Sequence, residues 1–281
     1  NITAFILIKI IPLTCFMKKR RNKISFVTKP KNIIHLVCLA AFMALMIYVL
    51  FFSSADWSLF REQFFNFEKM EGRYHIFISP LILVLKISLH SCLWATIIGL
   101  SMAIVRNYNN VYLNGIITAY VVLFRSIPAM VLVVLVYFTL PYVGLNLVST
   151  NSVIASLSLL FSAYTTEIFR SGINSVDRSQ VEAAKSLGMG SLQSMRWVIL
   201  PQALRVIIPP LTSVLIDILK TTSIAYVVGV PELIARARQM EGVIGSVTPL
   251  IFVSFLYFLI ILPVVLLSSR LEKRSRRWSK C

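Results

Sequence analysis

Six ionisable side chains sit inside long apolar stretches, and these have chemistry to offer: Lys86, His90, Arg125, Glu167, Asp217 and Lys220. A charge near the centre of a bilayer costs about 2.5–3.5 kcal/mol on insertion scales, so each needs a partner, a watery cavity or a task. Arg125 lies ~21 Å along a helix from Val111, and Glu167 and Asp217 reach similar depths in two later segments. Arginine offers a planar fork matched to a carboxylate, whereas glutamate matches an ammonium. Arg125 and Glu167 are therefore equipped either to pin two helices to each other or to hold the two ends of a small zwitterion. Lys86 and His90, one turn apart, read as a hydrogen-bonded pair on a stripe facing a helix bundle. Lys220, Thr221, Thr222 and Ser223 add donors one turn past Asp217.

Other chemistries lack their residues. No G-x-x-x-x-G-K-[ST] loop exists to cradle a nucleotide's phosphates. His35, His75 and His90 are scattered and form no nucleophile–base pair, and Cys15, Cys38, Cys92 and Cys281 have neither pairing nor metal spacing. The chain reads as no enzyme, with no metal or cofactor of its own.

The elements that must position these side chains are membrane helices. With 57% hydrophobic and 14% charged residues, the chain is more apolar than soluble domains, which run near half apolar and a quarter charged. The net charge of +17 gathers beside apolar spans, so it sets topology and does not indicate nucleic acid. Spans are expected at 33–52, 76–105, 111–140, 152–169, from 202 to about 222, and 248–267, giving an all-α protein with six transmembrane helices. Pro128 should kink the third and Pro209-Pro210 should bend or break the fifth. Residues 223–247 read as an outer or re-entrant segment. The cluster Lys18 to Lys31 and the tail with Arg270, Lys273, Arg274, Arg276, Arg277 and Lys280 place both termini in the cytoplasm. Basic residues follow Met17 where a signal peptide would carry them ahead of its apolar core. Met17 is thus expected to be the biological start, and 1–16 an upstream extension.

Between the fourth and fifth spans lies a polar island, residues 171–201. Ser179 and Glu182 have the spacing of a capping box, Gly188 can close the short helix in a left-handed turn, Ser191 can cap a second helix and Pro201 suits the first turn of a third. Ala183 and Ala184 leave one face flat enough for another protein's backbone to approach.

Here the sequence resembles the membrane-spanning permease subunits of ATP-binding-cassette importers, identified by EAA-x3-G-x9-I-x-L-P. The pattern reads Glu182-Ala183-Ala184, Gly188, Val198, Leu200, Pro201, with valine the one substitution. Flanking residues are similar to the polar amino-acid branch: Phe124-Arg125-Ser126-Ile127-Pro128, Tyr164 through Gly172, Leu200-Pro201-Gln202-Ala203 and Lys220-Thr221-Thr222-Ser223. Two positions depart from it: Thr221, where aspartate is usual, and Ser179, where glycine is usual.

The resemblance covers about 76–268. It implies a five-span type I importer core there, holding coupling loop 171–201. The helix at 33–52 is an addition, 53–75 an outer loop, 1–32 a basic cytoplasmic segment and 269–281 a basic tail. It implies a second permease chain, identical or not, cytoplasmic ATPase subunits that bind ATP and Mg, an extracytoplasmic solute-binding protein, and surrounding lipid in the inner membrane of a prokaryote. Ser179, Glu182, Ala183, Ala184, Gly188, Leu200 and Pro201 would form the ATPase contact, and Arg125, Tyr164, Glu167, Asp217, Lys220 and Thr222 would line the solute pathway. An opine, ectoine or cystine would suit the same machinery. An ion-driven secondary transporter is the rival class; an inverted repeat would favour it, none is visible, and the coupling loop counts against it.

Overall fold

The structure, a computed structural model, describes residues 30–52, 56–106 and 110–278, and every element in them is helical. It divides into two compact units, 1–60 and 61–281. The first contains α1 (Pro30–Phe52), whose apolar side chains from Val37 to Tyr48 are exposed. The expected start at Met17 lies outside the described residues. Helix α2 (Trp57–Phe64) begins on Asp56, whose carboxylate accepts from the amides of Ser58 and Leu59 at 3.0 and 3.1 Å.

The second unit runs α3 (Ile78–Arg106), α4 (Val111–Ser126), α5 (Ala129–Thr139), α6 (Ser149–Asn174), α7 (Arg178–Ser186) and α8 (Ser191–Ser194). A wide turn over Met195–Ile199, in which Leu200 N bonds Met195 O, joins α8 to α9 (Leu200–Thr221). A 3-10 segment (Thr222–Val228), α10 (Leu233–Ile244) and α11 (Thr248–Trp278) complete it. Among the described residues four helices are long and apolar enough to cross a membrane, or five if α4 and α5 count as one broken span. The first expected span, 33–52, falls within α1 (Pro30–Phe52), an apolar helix of 23 residues. Gln63 O accepts from Val247 N (2.9 Å) and Ser246 Oγ (2.7 Å), and the chain from Arg61 onward folds with the second unit.

Two proline expectations are corrected in opposite directions. Pro128 does more than kink a span: α4 ends at Ser126, Ile127 is extended (φ −86°, ψ 129°), and α5 departs at 106°. The proline ring crowds the residue before it out of the helical region, and Pro128 then serves as the α5 N-cap. Pro209 and Pro210, by contrast, lie inside an unbroken α9. There Thr212 Oγ1 donates to Pro209 O (2.6 Å) and meets Ser268 Oγ of α11 at 2.8 Å, so packing against neighbours holds the helix through the proline pair.

Helix α6 is the hub. It buries Ser152, Ser156, Ser158 and Ser162 beside Val153, Leu157 and Leu160, and small polar residues let other helices come close where lipid offers no hydrophobic drive for association. Against α3 the approach is closest: Thr165 Oγ1 donates to Ala95 O (2.7 Å), and a Cβ at Gly99 would overlap that hydroxyl and come 2.8 Å from the Thr166 amide nitrogen. Lys86 and His90 do not face this bundle. Both are exposed, and His90 Nδ1 lies 2.8 Å from Lys86 O on its own helix.

Candidate functional site

Helices α4, α6 and α9 enclose a cavity of ≈ 640 Å³ lined by Arg125, Tyr164, Glu167, Val214 and Asp217 among others. A second cavity of ≈ 540 Å³ shares Arg125, Tyr164, Val214 and Asp217, and adds Ile127, Pro128, Lys220 and Thr221. The α4–α5 break shapes this second space, because its extended residue and proline form part of the wall. Five of the six expected pathway residues are thus brought together. Thr222 is the exception: it is fully buried and its hydroxyl donates to Leu219 O (2.7 Å), so Thr221 takes the lining position. The helix tightens to 3-10 at Thr222 and turns that side chain inward.

Arg125 and Glu167 do not pair. The Arg125 guanidinium stacks over the Tyr164 ring, 5.1 Å from its centroid, a cation–π contact. Glu167 is clamped instead by two other arginines. Arg106 Nη1 reaches one carboxylate oxygen at 2.5 Å, and Arg170 Nη2 and Nε reach the other at 2.7 and 3.0 Å. Arg106 Nη2 also donates to Thr118 Oγ1 (3.2 Å), which ties the end of α3 to α4 and α6. Both arginines escaped the sequence reading. The Glu167–Arg170 spacing of i, i+3 was a usable signal, whereas nothing local joins Arg106 to Glu167.

The coupling loop closes on short-range bonds. Asp177, not Ser179, caps α7: its Oδ1 accepts from the Ser179 amide at 2.9 Å. That amide holds the Asp177 carboxyl below the ordinary aspartate range, with help from the Ser179 hydroxyl. Starting earlier than expected, the helix leaves Ser179 inside it and no capping box with Glu182. At the far end Met189 N bonds Ala184 O (3.1 Å) and Gly188 N bonds Lys185 O (2.9 Å), a Schellman closure that needs the left-handed φ of +76° at Gly188. Ser191 is likewise displaced as a cap by Gly190, whose amide donates to Gln193 Oε1 (3.1 Å). Pro201 occupies the first turn of α9. Ala184 is buried while Glu182 and Ala183 are exposed, and around them Leu187, Leu192 and Trp197 are 82, 83 and 65% exposed.

A third feature went unnoticed in the sequence. Glu232 is fully buried and caps α10 with bonds of 2.8 Å from each of the Ile234 and Ala235 amides, while Tyr257 Oη donates to it at 3.2 Å. Burial pushes its carboxyl upward, against the pull of those donors. No group of residues able to hold a metal ion occurs among the described residues.

A cavity that carries Arg125, Glu167 and Asp217, walled by membrane helices and continuous through α9 with an exposed loop of two short helices, is the geometry of a transport subunit. Residues 95–277 match the family described as "Binding-protein-dependent transport system inner membrane component". The chain belongs to that family, the permease subunits of ATP-binding-cassette importers. It is 35% identical over 191 residues to the "Probable amino-acid ABC transporter permease protein YckA" of Bacillus subtilis (strain 168), covering 68% of this chain and 84% of that one. With the "Glutamate/aspartate import permease protein GltK" of Escherichia coli O157:H7 it shares 33% over 204 residues, 69% of this chain and 91% of the other. Among solved structures, the "Crystal structure of an amino acid ABC transporter with histidines" superposes with a TM-score of 0.70 at 32% identity, covering 74% of this chain and 98% of that one. The MetNI methionine transporter, at 22% identity and a TM-score of 0.62 over 73% of this chain and 98% of that one, shares the fold.

Proposed function

We propose that this permease carries a polar amino acid inward across the bacterial inner membrane, driven by ATP that a separate cytoplasmic ATPase binds with Mg. The reading rests on one continuity: the coupling loop runs through α8 and the wide turn into α9, and α9 carries Val206, Pro209, Pro210, Ser213 and Asp217 into the cavity wall. Movement imposed on the loop reaches the cavity along one helix. Residues 76–268 form the translocating core, both termini face the cytoplasm, and the surface around Glu182, Ala183 and Leu187 meets the ATPase. A second permease chain and an extracytoplasmic solute-binding protein complete the machine. The names of YckA and GltK support an amino-acid cargo, as does the likeness to a solved amino acid ABC transporter.

The test is reconstitution of the purified complex with its ATPase and solute-binding protein in vesicles. ATP-dependent uptake of radiolabelled amino acids, abolished in Gly188→Val while the complex stays folded, is expected. Uptake that proceeds without ATP and follows an ion gradient overturns the reading.

A further inference from the structure

Resting on the reading of the cavity as an amino-acid pathway, the charges around it select among amino acids. Glu167 already has two arginine partners, so its carboxylate is committed. Glu272 also lines the larger cavity, but it stands near the last turns of α11, a full membrane thickness from Thr248 at ~1.5 Å per residue. Three charged groups remain around the smaller cavity: Arg125, Asp217 and Lys220. None has an ion-pair partner within 4 Å among the described residues, although Asp217 and Lys220 are a single turn apart on α9.

We propose that this cavity selects an acidic amino acid, with Asp217 receiving the α-ammonium and Arg125 and Lys220 receiving the two carboxylates. The complement of two cations and one anion is a solute with two carboxylates and one ammonium. A neutral amino acid leaves one cation uncompensated, and a basic one adds a further positive charge. Tyr164 supports the assignment of Arg125. With its ring against the guanidinium, it orients the planar fork whose in-plane N–H groups are matched to a carboxylate. Lys220 lies one turn along α9 from Asp217, and its flexible stem reaches a side-chain carboxylate at more than one distance. Glu167 thus loses the ammonium-binding role that its depth suggested.

The experiment is equilibrium binding by calorimetry to the purified permease–ATPase complex without solute-binding protein, using L-glutamate, L-glutamine, L-lysine and glutarate. Glutamate should bind about tenfold or more tighter than glutamine, and lysine more weakly still. Lys220→Gln should erase the preference for glutamate over glutamine. Asp217→Asn should weaken glutamate and glutamine alike while leaving glutarate, which has no ammonium, unweakened. Glutamine or lysine binding as tightly as glutamate overturns the inference and leaves amino-acid import standing. Asp217→Asn variants that lose glutarate equally overturn the ammonium assignment. If none of the four binds, both the inference and the placing of cargo in this cavity fall.

Discussion

In the coupling loop Asp177 reaches an amide two residues on and Gly190 a side chain three residues on, whereas in the cavity Glu167 is held from Arg106, 61 residues away, and Thr165 reaches across 70 residues to Ala95. The loop is assembled from neighbours in sequence. Its shape survives or fails within one turn, and the helices around it need not notice. The cavity is assembled from helix contacts, so a change there spreads into the packing that holds the permease together. Function and stability should therefore separate in the loop and travel together in the cavity.

The largest test of that contrast is at Gly99. Gly99→Ala places a methyl group against Thr165 and the rigid backbone of α6, and overpacking of this kind costs about 1–3 kcal/mol. The assembled complex should melt at a clearly lower temperature, and by more than in Gly172→Ala, where the obstructing Ile207 side chain can swing aside. Equal stability in both variants would break the picture of a tight α3–α6 contact. Next comes Glu167→Gln, which strands two arginines. Because Glu167 and Arg106 keep 26 and 22% of their side-chain exposure, the loss should fall short of a fully buried pair, at about 1–3 kcal/mol. Arg106→Gln should cost less, since Arg170 still serves the carboxylate.

In the loop the effects shift from stability to coupling. Gly188→Ala forces a left-handed residue to carry a Cβ at a cost of about 1–2 kcal/mol, confined to the end of α7. The permease should keep its melting temperature while ATPase retention during purification falls several-fold; a matching drop in melting temperature would erase the distinction between the regions. The smallest effect concerns Asp177, whose folded-state acidity lies below its unfolded value. Its contribution is present above the ordinary aspartate range and disappears as pH falls through the lowered value. ATPase attachment should therefore be flat between about pH 5 and 8 and weaken only in acid. Asp177→Ala should weaken attachment at neutral pH, whereas Ser179→Ala should barely change it.

What the sequence disclosed follows the same division. Gly188 and Pro201 were legible because a left-handed turn and a helix start are properties of single residues in local context. Ser179 misled because Asp177, two residues earlier, offers an equally short acceptor, and helix ends are ambiguous at that scale. The gathering of Arg125, Asp217 and Lys220 could be inferred from the cost of charge at depth, and that of Tyr164 from the resemblance alone, yet their pairing could not. Depth along a helix says nothing about azimuth, so by depth alone Glu167 was within reach of Arg125, while its azimuth turns it to Arg106. The prolines differ for a related reason: Pro128 holds Ile127 in an extended conformation that ends α4, whereas Pro209-Pro210 lie where α11 supports the helix.

The wide turn at Met195–Ile199 holds one residue more than an α-helical turn would need. An added residue advances a helix by about 100°, so this turn sets the angular phase between the exposed loop and the cavity face of α9. Deleting a residue within it can be absorbed by relaxation to regular α-helix, leaving Asp217 aimed at the cavity. The same deletion between Arg205 and Ile208 would swing Asp217 and Lys220 off their wall by that angle. The permease thus carries, between its lever and its pocket, a built-in reserve of rotation.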